Sequence, residues 1–331
     1  MKSRYFSIFG LSVLMLFAIV FNGCKDEEYA LPVAKDGLQN DCIKRTLGPN
    51  LVGQNIEFVY ATAIKFNTGK IVSAQVEASI PGAAGTYLEH RSYYTNGSGV
   101  DVPITVGSPS VTTANTSVVT FTKDTCAAAL RYFYMIPEEA RGKSVSFTFS
   151  AKASTGETVT YKMGPYAIAQ MDMKLDLVLS DGNLAYFSVA DLAAYNAASA
   201  ASNAAKIDLV YLYRSYPTVS FLHSLVSPGS NPEYLPGITL PTGVKNVTKF
   251  VKVYGLRDRH LARAQYGIYI DDVDLQTIDF ANCTDNGINM KVDAGAWVQT
   301  ADGTYTAYIF VNKVDNTAKT MTVSIKRLKI K

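Results

Sequence analysis

Apolar residues alternate with polar or small residues along most of the chain after about residue 54. Ile56, Phe58 and Tyr60 alternate in this way, and the same pattern recurs over residues 321–325. A period of two is typical of strands that bury one face. The pattern therefore predicts a mainly β protein.

Turn residues divide the first alternating region into short strands. Asn67-Thr68-Gly69, Pro81-Gly82 and Asn96-Gly97 separate successive runs. About seven strands at this spacing, with no long helical period between them, are typical of an immunoglobulin-like β-sandwich. We expect that domain to span residues 49–166.

The second region, residues 167–331, is expected to be a β-sandwich or jelly-roll-like domain carrying one helix. The helix is predicted over Ala190–Ala205, where alanine abounds and Asp191 suits the first turn of a helix. Four prolines between Ser227 and Gly243 indicate a long ordered loop.

The chain begins like a bacterial lipoprotein signal peptide. An apolar stretch follows Lys2 and Arg4, and Gly23 precedes Cys24. The stretch is about 17 residues long and polar sequence follows it, which disfavours a retained membrane helix. We predict a signal peptide over residues 1–23, a lipid on Cys24 and a tether over residues 24–48.

The balance of basic and acidic residues limits which partners the protein is expected to have. Removing Lys2 and Arg4 with the signal peptide leaves 29 basic against 28 acidic residues. A charge so close to balance disfavours nucleic acid as a partner, and leaves the lipid as the expected membrane contact.

The segment Lys25-Asp26-Glu27-Glu28 resembles the surface-export signal of Bacteroidetes lipoproteins. It predicts an outer-membrane protein facing the cell exterior.

Three cysteines remain after Cys24. Cys42 and Cys126 both fall near the first domain, so one hypothesis pairs them in a disulfide, which an extracellular compartment permits. The alternative is that these two and Cys283 are unpaired thiols. The sequence has no CxxC motif and no Cys/His cluster, so neither a metal site nor a cofactor is predicted.

Several segments together resemble a known family. They are Asn40-Asp41-Cys42, Gly48-Pro49-Asn50, Tyr87-Leu88-Glu89-His90-Arg91-Ser92-Tyr93-Tyr94, Ile136-Pro137-Glu138-Glu139-Ala140 and Met163-Gly164-Pro165-Tyr166. On these residues the mature chain resembles the Bacteroidetes lipoproteins grouped as domain-of-unknown-function family 4466. The resemblance implies a class and a location but carries no catalytic residue. Lipoproteins of this build often accompany glycan-uptake systems, an analogy of fold and location alone.

Aromatic residues supply the first candidates for a binding site. Tyr93, Tyr94 and the single tryptophan, Trp297, could stack on sugar rings while polar groups hold the hydroxyls. The alternative for the tyrosine pair is that one side chain lies in the core and one on the surface.

Charged residues supply the second set of candidates. Arg257 and Arg259 could bind an anion or a sugar acid. The alternative is a loop held by internal ion pairs. The sequence lacks the HExxH, GxSxG and P-loop motifs of common enzymes.

These observations favour a surface lipoprotein that acts as a binding or accessory module, for glycan in a nutrient-uptake system. The second hypothesis is a structural or adhesin-type protein that pairs with other cell-surface or transporter proteins. A glycoside hydrolase ranks third, so an enzyme is not the favoured interpretation.

Overall fold

Strands dominate the described chain, residues 35–216 and 221–331 of a computed structural model. The described elements include twenty strands, whereas the α-helices there are few and short. The prediction of a mainly β protein is confirmed. The signal peptide, Cys24 and the beginning of the tether lie outside the described residues. Across the described chain, no helix is long and apolar enough to cross a membrane.

The first half folds into two antiparallel sheets of five strands each, as far as the described residues extend. In spatial order, sheet I contains β1 (Gln39–Lys44), β2 (Asn55–Ala63), β8 (Ala127–Met135), β4 (Tyr87–Thr95) and β5 (Asp101–Thr105). Sheet II contains β10 (Thr158–Ala167), β9 (Ser144–Ala153), β3 (Ile71–Ala78), β7 (Thr116–Thr120) and β6 (Val111–Thr113). A 3₁₀ helix (Glu138–Ala140) connects β8 to β9.

Aromatic side chains fill the space between these two sheets. Phe58 and Tyr132 come from sheet I, and Phe147 and Phe149 from sheet II, and all four are buried. The ring centres of Phe58 and Phe147 are 4.8 Å apart, and Tyr132 meets Phe149 edge-on at 5.9 Å. Such pairs add about 0.5–1.5 kcal/mol each beyond the burial of their area. The inward positions of the alternating pattern therefore form one core.

The prediction of a tether is wrong for residues 39–44, which form β1. This strand pairs with β2, from Gln39 opposite Ala63 to Lys44 opposite Phe58. β1 is an edge strand that buries only Cys42. The edge strands β5 and β6 contain no buried side chain. About seven strands were expected in this half, whereas its described residues form ten. Short edge strands, whose sequences show so little apolar alternation, account for this difference.

The second half also contains two antiparallel sheets of five strands each within its described residues. Sheet III contains β11 (Asp172–Ser180), β20 (Thr320–Lys329), β19 (Tyr305–Asp315), β18 (Ala294–Gln299) and β16 (Lys249–Tyr254). Sheet IV contains β13 (Ala193–Tyr195), β12 (Tyr186–Ser188), β14 (Leu209–Arg214), β15 (Leu222–Val226) and β17 (Asn286–Gly287). Their shared core includes Phe187, Leu209, Ile309 and Val323.

The predicted helix over Ala190–Ala205 is much shorter in the structure, where α1 spans Ala197–Ser202. Ala193–Tyr195 instead pair with β12, and Asn196 begins the helix by accepting a hydrogen bond from the Ser199 N–H at 2.9 Å. A 3₁₀ helix (Ala204–Lys206) follows. The alanine content that suggested a long helix is overridden by strand pairing and the Asn196 cap.

Two short helices were not predicted, α2 (Arg259–Ala262) and α3 (Asp272–Thr277). Neither is long enough to show a helical period in the sequence. They cover the outer face of sheet III, where Leu261 and Leu275 pack in one cluster with Trp297.

The outer face of sheet IV is also covered. The proline-rich stretch predicted as a loop contains the 3₁₀ helix Pro232–Tyr234, and Leu235 beside it packs with Ala200 and Val210. Sheet I differs from both sheets of the second half, because its outer face is open along β2. Exposed or partly exposed residues occupy every second position of that strand.

The two sandwiches meet through backbone and side-chain contacts, and Gly37–Lys331 form one compact unit. The Asp272 carboxylate accepts hydrogen bonds from the N–H groups of Gln170, at 2.6 Å, and Met171, at 2.9 Å. Gly48 has a φ of +78°, and a Cβ there would lie 2.4 Å from the Tyr269 ring. Glycine therefore permits this close approach between the halves.

Candidate functional site

A groove of about 490 Å³ lies on sheet I. Four neighbouring strands each contribute three consecutive residues to its lining: 39–41, 61–63, 92–94 and 127–129. Its volume lies within the range of about 300–1,000 Å³ that is common for ligand sites.

The floor of the groove consists of small side chains. Phe58 and Tyr60 point into the core, so alternation along β2 places Ala61 and Ala63 on the opposite, solvent-facing side. Ala127 and Ala129 occupy equivalent positions on β8, because Ala63 pairs with Ala127 and Ala61 with Ala129. Four methyl groups therefore replace the larger side chains that would otherwise fill this part of the sheet.

Strand register sets what flanks the floor. Asp41 pairs with Ala61, and the pairing of Ser92 with Leu130 places Tyr93 opposite Ala129. Directly paired residues share a face, so one row runs from a carboxylate across two methyl groups to a phenol. Three strand spacings give this row a length of about 14 Å.

The two tyrosines differ in how firmly they are held. The Arg131 guanidinium lies 4.1 Å from the ring centre of Tyr93 and forms an ion pair with Asp101. This cation–π contact fixes the Tyr93 ring against the sheet. Tyr94 is 51% exposed, so its ring is available to a ligand. Tyr93 is half-buried. Both predicted tyrosines therefore line the groove and neither lies in the core, although as successive residues of β4 they point to opposite sides of that strand.

Trp297 does not reach this groove. It lies on β18 in the second half, is 8% exposed, and packs at 4.7 Å against the Tyr308 ring. The helices α2 and α3, which the sequence pattern did not predict, cover the face on which it lies. Trp297 is therefore a core residue and offers no stacking platform.

The predicted pair Arg257 and Arg259 also lies away from the groove. Arg257 forms an ion pair with Asp293, and the Arg259 guanidinium lies 4.9 Å from the ring centre of Tyr269. The intervening Asp258 is buried with Lys326 in an ion pair of 2.7 Å. These contacts agree with the alternative of a loop held by internal pairs.

Asp258 has a structural role beyond that ion pair. Its carboxylate accepts hydrogen bonds from the N–H of Leu261 at 2.9 Å, which caps α2, and of Ile270 at 2.7 Å. Burial lowers the pKa of Lys326. Burial, followed by the nearby Lys326 charge, lowers the pKa of His260 to about 4, so this imidazole is neutral at pH 7. The cluster stabilises α2 and the segment around residue 270.

One carboxyl group has the raised pKa that a general acid needs. Burial raises the pKa of Asp208 to about 7, and its carboxylate accepts a hydrogen bond from the Val189 N–H at 2.7 Å. Asp302 lines the same cavity, and hydrogen bonds from Thr300 and Thr304 lower its pKa to about 2. The cavity measures about 90 Å³, far below the volume of common ligand sites. A sugar ring therefore does not fit between these acids.

The predicted disulfide between Cys42 and Cys126 is not formed, and both residues are free thiols, as is Cys283. Cys42 pairs with Tyr60, and Tyr60 pairs with Leu130 on the next strand. Cys126 is therefore two strands and four residues away, a separation of about 16 Å. A disulfide needs Cα atoms within about 7 Å.

The floor and the acidic end of the groove were not predicted from the sequence. The floor leaves only one signal in the sequence, which is alanine at every second position. This occurs in Ala61-Thr62-Ala63 and in Ala127-Ala128-Ala129. Asp41 was assigned to the tether and so was not considered.

The fold and the groove together define a double β-sandwich protein with an open groove on its first sandwich. The chain belongs to the DUF4466 family: the model of this domain of unknown function matches residues 35–168. A second domain of unknown function, DUF8576, matches residues 169–330. The family resemblance seen in the sequence is confirmed.

Solved structures agree with this membership. The crystal structure of a DUF4466 family protein from Parabacteroides merdae is 49% identical, with a TM-score of 0.83, and the match covers 89% of this chain and 99% of that chain. The major pilin subunit BcpA of Bacillus cereus is 8% identical, with coverage of 85% and 62% and a TM-score of 0.28, a likeness that supports no conclusion. No curated protein matches.

Proposed function

We propose that this protein binds glycan in the groove of sheet I, as a lipid-anchored accessory module of a nutrient-uptake system. One observation carries the proposal: a floor of alanine methyl groups lies between the Tyr93 ring and the Asp41 carboxylate, in a groove that Tyr94 also lines. Sugar rings combine apolar faces with rims of hydroxyl groups. An aromatic ring and methyl groups suit the faces, and a carboxylate accepts hydrogen bonds from the hydroxyls.

The predicted location supports this role. A lipid on Cys24 and the acidic segment that follows would hold the groove outside the cell, where polysaccharides are met. The near balance of basic and acidic residues suits a ligand recognised through stacking and hydrogen bonds.

Affinity electrophoresis against a broad set of soluble polysaccharides tests the proposal. At least one polysaccharide should retard the protein. Tyr94→Ala should weaken that binding by about 1–3 kcal/mol, the value of one large side chain in a contact. Tyr254→Ala is the matched control, because Tyr254 is 72% exposed on β16 in the other half. Retardation that is equally strong in both variants would contradict the assignment of the site.

An adhesin-type role is the second candidate, and one observation favours it. β5 is an edge strand of sheet I, and Ile104 on it is 48% exposed. Edge strands can pair with a strand of another protein, although Pro103 removes one backbone donor here. Ile104→Lys should reduce aggregation of cells that display the protein if this edge mediates adhesion. Unchanged aggregation would argue against it.

A further inference from the structure

We propose that the groove takes an internal segment of a neutral polysaccharide, laid across the strands, and excludes acidic glycans. This inference rests on the proposed function and specifies its ligand. It follows from the charges that face the groove, from the shape of the floor and from where the groove ends.

Charge excludes an acidic ligand. The twelve lining residues, all within the described part of the chain, include one carboxylate, Asp41, and no lysine, arginine or histidine. The two arginines that lie at the Tyr93 ring are already paired: Arg131 contacts Asp101, and Arg91 bonds to Glu89 at 2.7 Å. A uronic acid or sulfated sugar would meet Asp41 without a free cation to offset the repulsion.

Asp41 can serve neutral sugars instead. One of its oxygens accepts the N–H of Cys42 at 2.8 Å, the Tyr161 phenol lies against the carboxylate, whose charge raises the pKa of Tyr161, and the carboxylate is exposed. An ionised carboxylate has about four acceptor positions, so others remain for sugar hydroxyl groups. Hydrogen bonds to a charged acceptor are stronger than those between neutral groups.

Shape favours a chain that passes through the groove. Ala61, Ala63 and Ala127 are exposed, so the groove is a surface trough with an accessible floor. β1 is the outermost strand of sheet I, and the trough reaches it at residues 39–41. Gln39 and Asp41 are exposed at this edge, so the trough is open there to a longer chain. The ligand's ends therefore need not be recognised.

Affinity electrophoresis and calorimetry with two sets of polymers test this inference. The neutral set is xyloglucan, galactomannan and mixed-linkage β-glucan, and the acidic set is polygalacturonate and alginate. At least one neutral polymer should bind, and neither acidic polymer should bind at physiological salt. Asp41→Asn should weaken neutral binding about tenfold, the loss expected for one charge-assisted hydrogen bond.

The outcomes separate this inference from the proposed function. Binding of an acidic polymer but of no neutral one would overturn the inference and leave a glycan-binding groove. If neither set binds and a broad glycan array also gives no signal, both the inference and the proposed function would be overturned. Borohydride reduction of the chain ends of a bound oligosaccharide should leave its affinity unchanged. A loss of binding on reduction would overturn the internal-segment part. Unchanged thermal unfolding of the Asp41→Asn protein serves as the folding control.

Discussion

Replacing Asp208 by asparagine should change how stability depends on pH, in a direction that the structure fixes. Burial raises the pKa of this carboxyl from an ordinary value of 3.8 to about 7. Between these values the folded protein keeps a proton on Asp208 that the unfolded chain has lost. The contribution of Asp208 to stability therefore falls as pH rises from about 4 to about 7, and is level above that range.

The magnitude follows from the size of the change in pKa. Each pH unit across the window costs about 1.4 kcal/mol, so the complete effect is about 4 kcal/mol. An asparagine side chain cannot ionise, so the Asp208→Asn variant would escape this loss. The free energy of unfolding of Asp208→Asn minus that of the unmodified protein should therefore rise by about 4 kcal/mol between pH 4 and pH 7.

Urea unfolding at half-unit pH steps from 4.5 to 8 would measure this difference, with linear extrapolation to zero denaturant. Groups that are not coupled to Asp208 titrate equally in both proteins and cancel. Glu138→Gln is the control: a hydrogen bond from Arg141 lowers the pKa of Glu138, so its stabilising effect is complete above about pH 5 and is lost as pH falls below that value. A difference for Asp208→Asn that stays constant from pH 4.5 to 8 would refute the reasoning.

Three other predictions concern the core, the halves and the anchor. Lys326→Met should lower the free energy of unfolding by about 3–5 kcal/mol, because it leaves the buried Asp258 carboxylate without its cation. Urea unfolding measures this loss, and a loss below about 1 kcal/mol would contradict the prediction. A fragment of residues 37–168, which contains sheets I and II, should unfold in one cooperative transition; a disordered proton NMR spectrum would show that it needs the second half. Cys24→Ala should abolish incorporation of labelled fatty acid, and label that persists would exclude Cys24 as the lipidated residue.

Much of the fold could be predicted because its inward residues are large and alternate strictly. β2 and β20 show this, since each buries a regular series of apolar side chains. β1 and β5 could not be predicted in the same way, because edge strands bury little on either face. The short helix α1 shows the opposite error: alanine favours helix locally, but pairing with β12 is a tertiary effect.

The site was only partly predictable for a related reason. Tyr93 and Tyr94 could be proposed from residue type alone. The floor beside them depends on the pairing of Ala61 with Ala129, and strand register between such distant positions leaves no local trace in the sequence. Trp297 was wrongly proposed because the helices that cover it are too short to show a period.

Filling the groove tests the central claim most directly. Ala61 is exposed at the centre of the floor, so Ala61→Trp would occupy the trough without disturbing the core. Thr160→Trp, at an exposed position on β10, is the matched control. Titration calorimetry with a polysaccharide that binds the unmodified protein should show binding lost in Ala61→Trp and kept in Thr160→Trp, with both variants folded. Undiminished binding by Ala61→Trp would contradict the assignment of the groove as the glycan site.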